Sequence, residues 1–122
     1  MANLNSSLAT AMQISGAIAV ALVDLDSGMC LGQAGGNGIN LDIAAGGNTE
    51  VVRAKINTMR ELNLNDEIED ILITLGNQYH LLRLLKSKGG AGLFLYLVLD
   101  KGKANLALAR HKLADIEKNL TM

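Results

Sequence analysis

Two histidines, one cysteine, a run of acids and several glycine-rich stretches are the side chains and loops whose types could carry chemistry. A local metal site or a nucleophile with its base would show as fixed spacing between ligand or partner residues. His80 lies in an apolar stretch of strand character and His111 in a helical one. No Cys or Asp stands at a spacing that would join either in a local metal motif, so both read as structural or surface histidines. Cys30 has no local base and reads as a buried, inert thiol. No G-x-S-x-G elbow is present. Gly36-Asn37-Gly38 lacks the third glycine that a dinucleotide fingerprint would put at Leu41, and Gly90-Ala91-Gly92 lacks it at Leu95. Lys101-Gly102-Lys103-Ala104 has a Gly-Lys pair, but Ala104 replaces the Ser/Thr and Leu97 the leading glycine of a P-loop. Asp66, Glu67, Glu69 and Asp70 read as a solvated strand entrance that guards against edge pairing. Arg110, His111, Lys112 and Lys118 read as an exposed helix face. The sequence therefore predicts no catalytic residue, no metal and no cofactor.

Composition bounds the rest. The 122 residues suit one domain spanning 1–122. Hydrophobic residues make up 49%, which excludes disorder, and one cysteine excludes a disulfide scaffold. A net charge of −1 and only three aromatics (Phe94, Tyr79 and Tyr96) argue against nucleic acid as a partner. No apolar run reaches the roughly 18–20 residues that span a bilayer, and no basic segment precedes Gly16 to Val23, so neither membrane nor export is expected. The expected compartment is the cytoplasm. Charge is uneven along the chain: residues 1–82 carry 3 basic and 9 acidic side chains, while residues 83–122 carry 8 basic and 3 acidic.

Apolar periodicity lays out the elements. A helix is predicted over 4–14, ended by Gly16, with Asn3 or Asn5 as N-cap. Strands are predicted over 17–25 and 29–33 around Asp26-Ser27-Gly28. Helical character runs from Leu41 to Leu62, but Gly46-Gly47 weakens it, so the firm helix is expected to start at Asn48. Its apolar surface has two stripes, Val52, Ile56 and Met59 beside Val51, Ala54, Thr58 and Leu62. Strands follow over 68–76, 79–86 and 93–99, with turns at Asn77-Gln78 and Lys88-Gly89-Gly90. The strand over 93–99 is apolar on both faces and must be covered on both. Asn105 caps a last helix with Leu106, Ala109, Leu113, Ile116 and Leu120 in one stripe. The order is α-β-β-α-β-β-β-α with an antiparallel sheet.

This order over about 120 residues resembles the roadblock / dynein light chain family. The opening strand and turn AVALVDLDSG resemble that domain's start, and GLFLYLVLDKGKANLALARHKLADIEKNL resembles its last strand and helix. Gly46-Gly47 departs from the continuous middle helix usual there. The resemblance implies an α+β, profilin-like and longin-like fold: a five-stranded antiparallel sheet of order 2-1-5-4-3 with helices on both faces. It also implies a non-catalytic homodimer. In that order the third strand is an edge, and Ile71, Leu72, Ile73, Thr74 and Leu75 would be an aggregation hazard unless paired with a second copy. Val51, Ala54, Thr58 and Leu62 would then meet the partner's helix. Proteins of this kind regulate or scaffold small Ras-like GTPases, as in bacterial gliding and polarity control, with Arg53 and Arg60 as candidate partner contacts or surface salt bridges. The alternatives are a structural light-chain-like subunit of a cytoskeletal or motor assembly and a small-ligand sensor module.

Overall fold

The computed structural model describes residues 3–86 and 91–120. Its elements are α1 (Leu4–Ala11), β1 (Ala17–Asp24), β2 (Cys30–Gly35), α2 (Leu41–Glu61), β3 (Asp70–Thr74), β4 (Gln78–Leu84), β5 (Leu93–Asp100) and α3 (Leu106–Asn119). The strands form one antiparallel sheet of order β2-β1-β5-β4-β3. The fold is thus the α+β arrangement that the family resemblance implies. The turn expected at Lys88-Gly89-Gly90 lies outside the described residues.

β5 organises both cores. Its alternation sends Leu95, Leu97 and Leu99 to one face, where they pack with Leu8 and Ala11 of α1 and with Ala109, Leu113 and Ile116 of α3. Phe94, Tyr96 and Val98 go to the other face and meet Leu41, Ala45 and Val52 of α2. These six side chains are at most 2% exposed.

Asparagine starts each helix. The side chains of Asn3, Asn40 and Asn105 accept from backbone N–H groups in the first turns of α1, α2 and α3. Two expectations change here. α1 stops at Ala11, and Gly16 (φ +85°) instead bends the chain into β1, packed against the backbone of Asp100 and Ala104. α2 is continuous through Gly46-Gly47 and begins at Leu41, capped by Asn40 and not by Asn48. Leu41, Ala45, Thr49 and Val52 are buried against the sheet along the first half of α2. Burying a large aliphatic side chain is worth about 1.5–3 kcal/mol, whereas each helical glycine costs about 1 kcal/mol, so packing wins. Asn48 sits inside the helix, where its amide donates to Ala44 O at 2.9 Å.

The strand ends move by one or two residues. β3 covers 70–74 and not 68–76, because Leu75 N–H donates to Gln78 O at 2.8 Å and closes the turn into β4. In the β1–β2 turn, Asp24 accepts from Ser27 Oγ at 2.8 Å and Gly28 takes φ +76°. Gly35 admits no side chain, since a Cβ there would lie 2.5 Å from Ile18 O.

Nothing lies within 4 Å of a Cβ built at Gly46 or Gly47. Replacing both with alanine is therefore expected to stabilise the protein by about 1–2 kcal/mol and raise its urea midpoint. An unchanged or lower midpoint would show that the glycines serve a close approach to another surface.

Candidate interaction surface

Among the described residues α2 is the only helix on its face of the sheet, and this leaves one side of it bare. Val52 is buried and Ile56 and Met59 are half-buried beneath the helix. Ala54 and Thr58 are exposed, and Val51 and Leu62 keep 40% and 62% of their surface. Ile43 belongs with them, at 73% exposure and a spacing of eight residues from Val51. Sequence periodicity does not mark it, because Gly46-Gly47 places the expected start of the firm helix after it.

Among the described residues β3 is the outer strand of the sheet, paired with β4 alone. Ile71 and Ile73 turn toward the α2 face and Leu72 toward the α1/α3 face, all three half-buried. Thr74 and Leu75 are exposed. An open groove of about 660 Å³ joins this edge to α2; Val51, Lys55, Met59, Leu64, Ile68 and Ile71 are among its lining residues. Leu64 comes from the irregular segment after α2, where no periodicity marks it in the sequence, and Ile68 lies just before β3, inside the strand predicted over 68–76.

The charged groups rearrange two expectations. Asp66, Glu67 and Glu69 are exposed as expected of a strand entrance, and Glu67 lies 3.4 Å from Lys86 Nζ. Asp70 is instead half-buried and takes a forked contact from Arg110, at 2.9 and 3.3 Å. Arg110 therefore ties α3 to the start of β3 and is not a free member of an exposed basic face. Buried Glu117 likewise accepts from Arg83 Nε at 2.9 Å and Lys86 N–H at 2.7 Å, locking α3 to the end of β4.

Arg53 and Arg60 make no ion pair among the described residues. Arg53 clasps the β1–β2 turn, donating to Leu25 O at 2.7 Å and to Asp26 O. Arg60 donates to Asn57 Oδ1 at 3.1 Å. The structure thus assigns Arg53 a turn-holding role inside the chain and replaces the surface salt bridges expected of both.

Three polar side chains meet under the middle of α2. His80 Nδ1 lies 3.0 Å from the Tyr96 hydroxyl, and His80 Nε2 lies 2.9 Å from Gln78 Oε1. Neutral His80 with its proton on Nε2 suits both contacts: Nε2–H donates to Gln78, and Nδ1 accepts from Tyr96. Burial lowers the His80 pKa below its ordinary 6.5. Burial also raises the Tyr96 pKa, opposed by a hydrogen bond from Asn48 of α2. Cys30 is half-buried, with its thiol 3.3 Å from Gly32 O; burial raises its pKa, the Gly32 contact opposes this, and nearby Asp42 adds to the rise. Among the described residues no three His, Cys, Asp or Glu side chains converge as a metal site. No helix among them is long and apolar enough to cross a membrane.

The sequence matches no family model and no curated protein. Solved structures match the fold. A Roadblock/LC7 domain from Streptomyces avermitilis aligns with TM-score 0.80 at 13% identity, over 96% of this chain and 93% of that one. MglB of Myxococcus xanthus aligns with TM-score 0.79 at 17% identity, over 94% and 91%. The gliding protein MglB of Thermus thermophilus aligns with TM-score 0.69 at 18% identity, over 93% and 87%. The chain therefore has the fold of Roadblock/LC7 domains, as its resemblance to that family implies.

His80 supplies a pH test of the α2–sheet contact. A histidine whose folded pKa lies below its unfolded value adds stability that is complete above pH 6.5 and declines as pH falls below that value toward the folded pKa. The urea midpoint is expected to drop across this window, and His80→Gln should flatten that part of the profile. An identical slope in the variant would assign the drop to other groups.

Proposed function

We propose that this protein is a non-catalytic, homodimeric regulator or scaffold of a small Ras-like GTPase. The observation that carries the reading is the open β3 edge lying beside the bare apolar side of α2, on a Roadblock/LC7 fold. An unpaired apolar edge favours association with another strand, and a two-fold partner closes it without creating a new one. Ile71, Leu72, Ile73, Thr74 and Leu75 form the strand side of this interface, and Val51, Ala54, Thr58 and Leu62 form the helix side. The family resemblance supports the GTPase, and so does the fold shared with a gliding protein. The protein would act by binding and ordering the switch loops of its partner in the cytoplasm, shifting that partner toward one of its own arrangements. Arg60, exposed at the end of α2, is the better placed of the two arginines for that contact, since Arg53 already holds the β1–β2 turn.

Light scattering on the eluting protein at micromolar concentration is expected to give twice 12.9 kDa. Val51→Glu and Leu62→Glu change side chains that are exposed in the single chain, so each should leave the fold intact. Placing a carboxylate in the buried contact should weaken the dimer by about 1–3 kcal/mol, or roughly 5- to 150-fold. A wild-type monomer, or variants as dimeric as the wild type, would contradict this interface.

Capture from lysates loaded with GDP or a GTP analogue tests the partner. A small Ras-like GTPase retained in one nucleotide state, and identified by mass spectrometry, is the expected result. Capture that ignores the nucleotide would point to the structural-subunit role, and a co-purified small molecule to the sensor role.

A further inference from the structure

The free hydrogen-bonding groups along β3 specify how a second copy would join it. In an antiparallel pair, residues alternate between those that exchange hydrogen bonds with the neighbouring strand and those whose N–H and C=O point the other way. Both ends of β3 fix this phase: Leu84 N–H donates to Glu69 O at 3.2 Å, and Leu75 N–H donates to Gln78 O at 2.8 Å. Between them Ile71 stands opposite Leu82 and Ile73 opposite His80. Odd-numbered residues therefore direct their backbone groups to β4. Asp70, Leu72 and Thr74 present theirs to the open edge, three donors and three acceptors in all.

We infer that a second copy pairs with β3 in the register that sets Leu72 opposite Leu72 of that copy, with the two-fold axis passing between them and perpendicular to the sheet. The inference rests on the homodimer proposed above and adds its register. Centring on any β3 residue keeps the sheet faces matched, and the three centrings that pair most of the strand are on Ile71, on Leu72 and on Ile73. Centring on Leu72 puts Asp70 opposite Thr74 of the second copy and Thr74 opposite its Asp70. All three outward-facing residues then form hydrogen-bonded pairs, and the ladder gains six bonds. On the α2 face, Ile71 meets Ile73 of the second copy at the closer, non-hydrogen-bonded positions. The two Asp70 side chains stay four residues apart, about 13 Å, beyond the screening length of about 8–10 Å.

The other centrings do worse on the same counts. Centring on Ile71 sets Glu69 against Ile73 and moves Thr74 opposite Ile68, which lies outside β3. Centring on Ile73 sets Asp70 against Gly76 in the turn. Each leaves one outward-facing residue without a partner inside the strand.

Cysteine scanning reads this register directly. Leu72→Cys, Ile71→Cys and Ile73→Cys would be made singly on a Cys30→Ser chain and oxidised. Facing Cα atoms of a hydrogen-bonded pair lie about 5.5 Å apart, within disulfide reach, whereas the copies of Ile71 or of Ile73 would lie about 7–8 Å apart diagonally. Leu72→Cys is expected to give several-fold more covalent dimer than either neighbour. Sedimentation of each reduced variant checks that it still folds and associates. Dominant cross-linking at Ile71→Cys or Ile73→Cys, or none at Leu72→Cys in a chain that sediments as a dimer, overturns the register and leaves the dimer standing. A parent chain that sediments as a monomer overturns the dimer itself.

Discussion

A strand that is apolar on both faces has to be covered on both faces, and β5 is that strand. Leu95, Leu97 and Leu99 on one side and Phe94, Tyr96 and Val98 on the other cannot all be dried by one layer of helix. The requirement places β5 in the middle of the sheet, with β1 and β4 as neighbours, and it divides the helices unequally. α1 and α3 share one face, and α2 has the other to itself. β3 is left outermost next to β4, at the end of the sheet opposite β2.

The unequal division produces the candidate surface. A lone helix over a five-stranded sheet buries one stripe and shows the other, so Val52 is dry while Ile43, Val51 and Leu62 are not. Polar contacts hold this layer in place. Arg53 grips the β1–β2 turn, and Asn48 reaches Tyr96, which in turn meets His80. On the far face Arg110 and Glu117 anchor α3 to the start of β3 and the end of β4. The edge strand is thus stiffly supported from behind while its outward backbone groups stay free. That combination suits a preformed docking edge, because little ordering remains to be done on association.

Much of this was legible in the amino-acid order. The unbroken apolar run at 93–99, the stripe from Leu106 to Leu120 and the Asn105 cap are local signals, and each marks its element. The start of α2 was not legible, because propensity sees two glycines while the burial of Leu41 and Ala45 on the sheet is tertiary. Asp70 and Arg110 are 40 residues apart, and nothing in either neighbourhood announces the other. Arg53 looked like a surface cation for the same reason: its acceptors are backbone carbonyls more than 25 residues away. Leu64 lies in a segment without period. The phase of the free backbone groups on β3 depends on its pairing with β4, which composition and spacing do not contain.

The proposed dimer requires β3 to be paired in solution, and backbone amide exchange reports that most directly. The Leu72 and Thr74 N–H groups face away from β4 and would exchange quickly if the edge were bare. Resolved by NMR at concentrations where the protein is dimeric, both are predicted to exchange slowly and to lose that protection on dilution, while the Ile71 and Ile73 amides stay protected throughout. Fast exchange at Leu72 and Thr74 at every concentration would mean that the edge is open and that the protein is not the strand-paired dimer proposed.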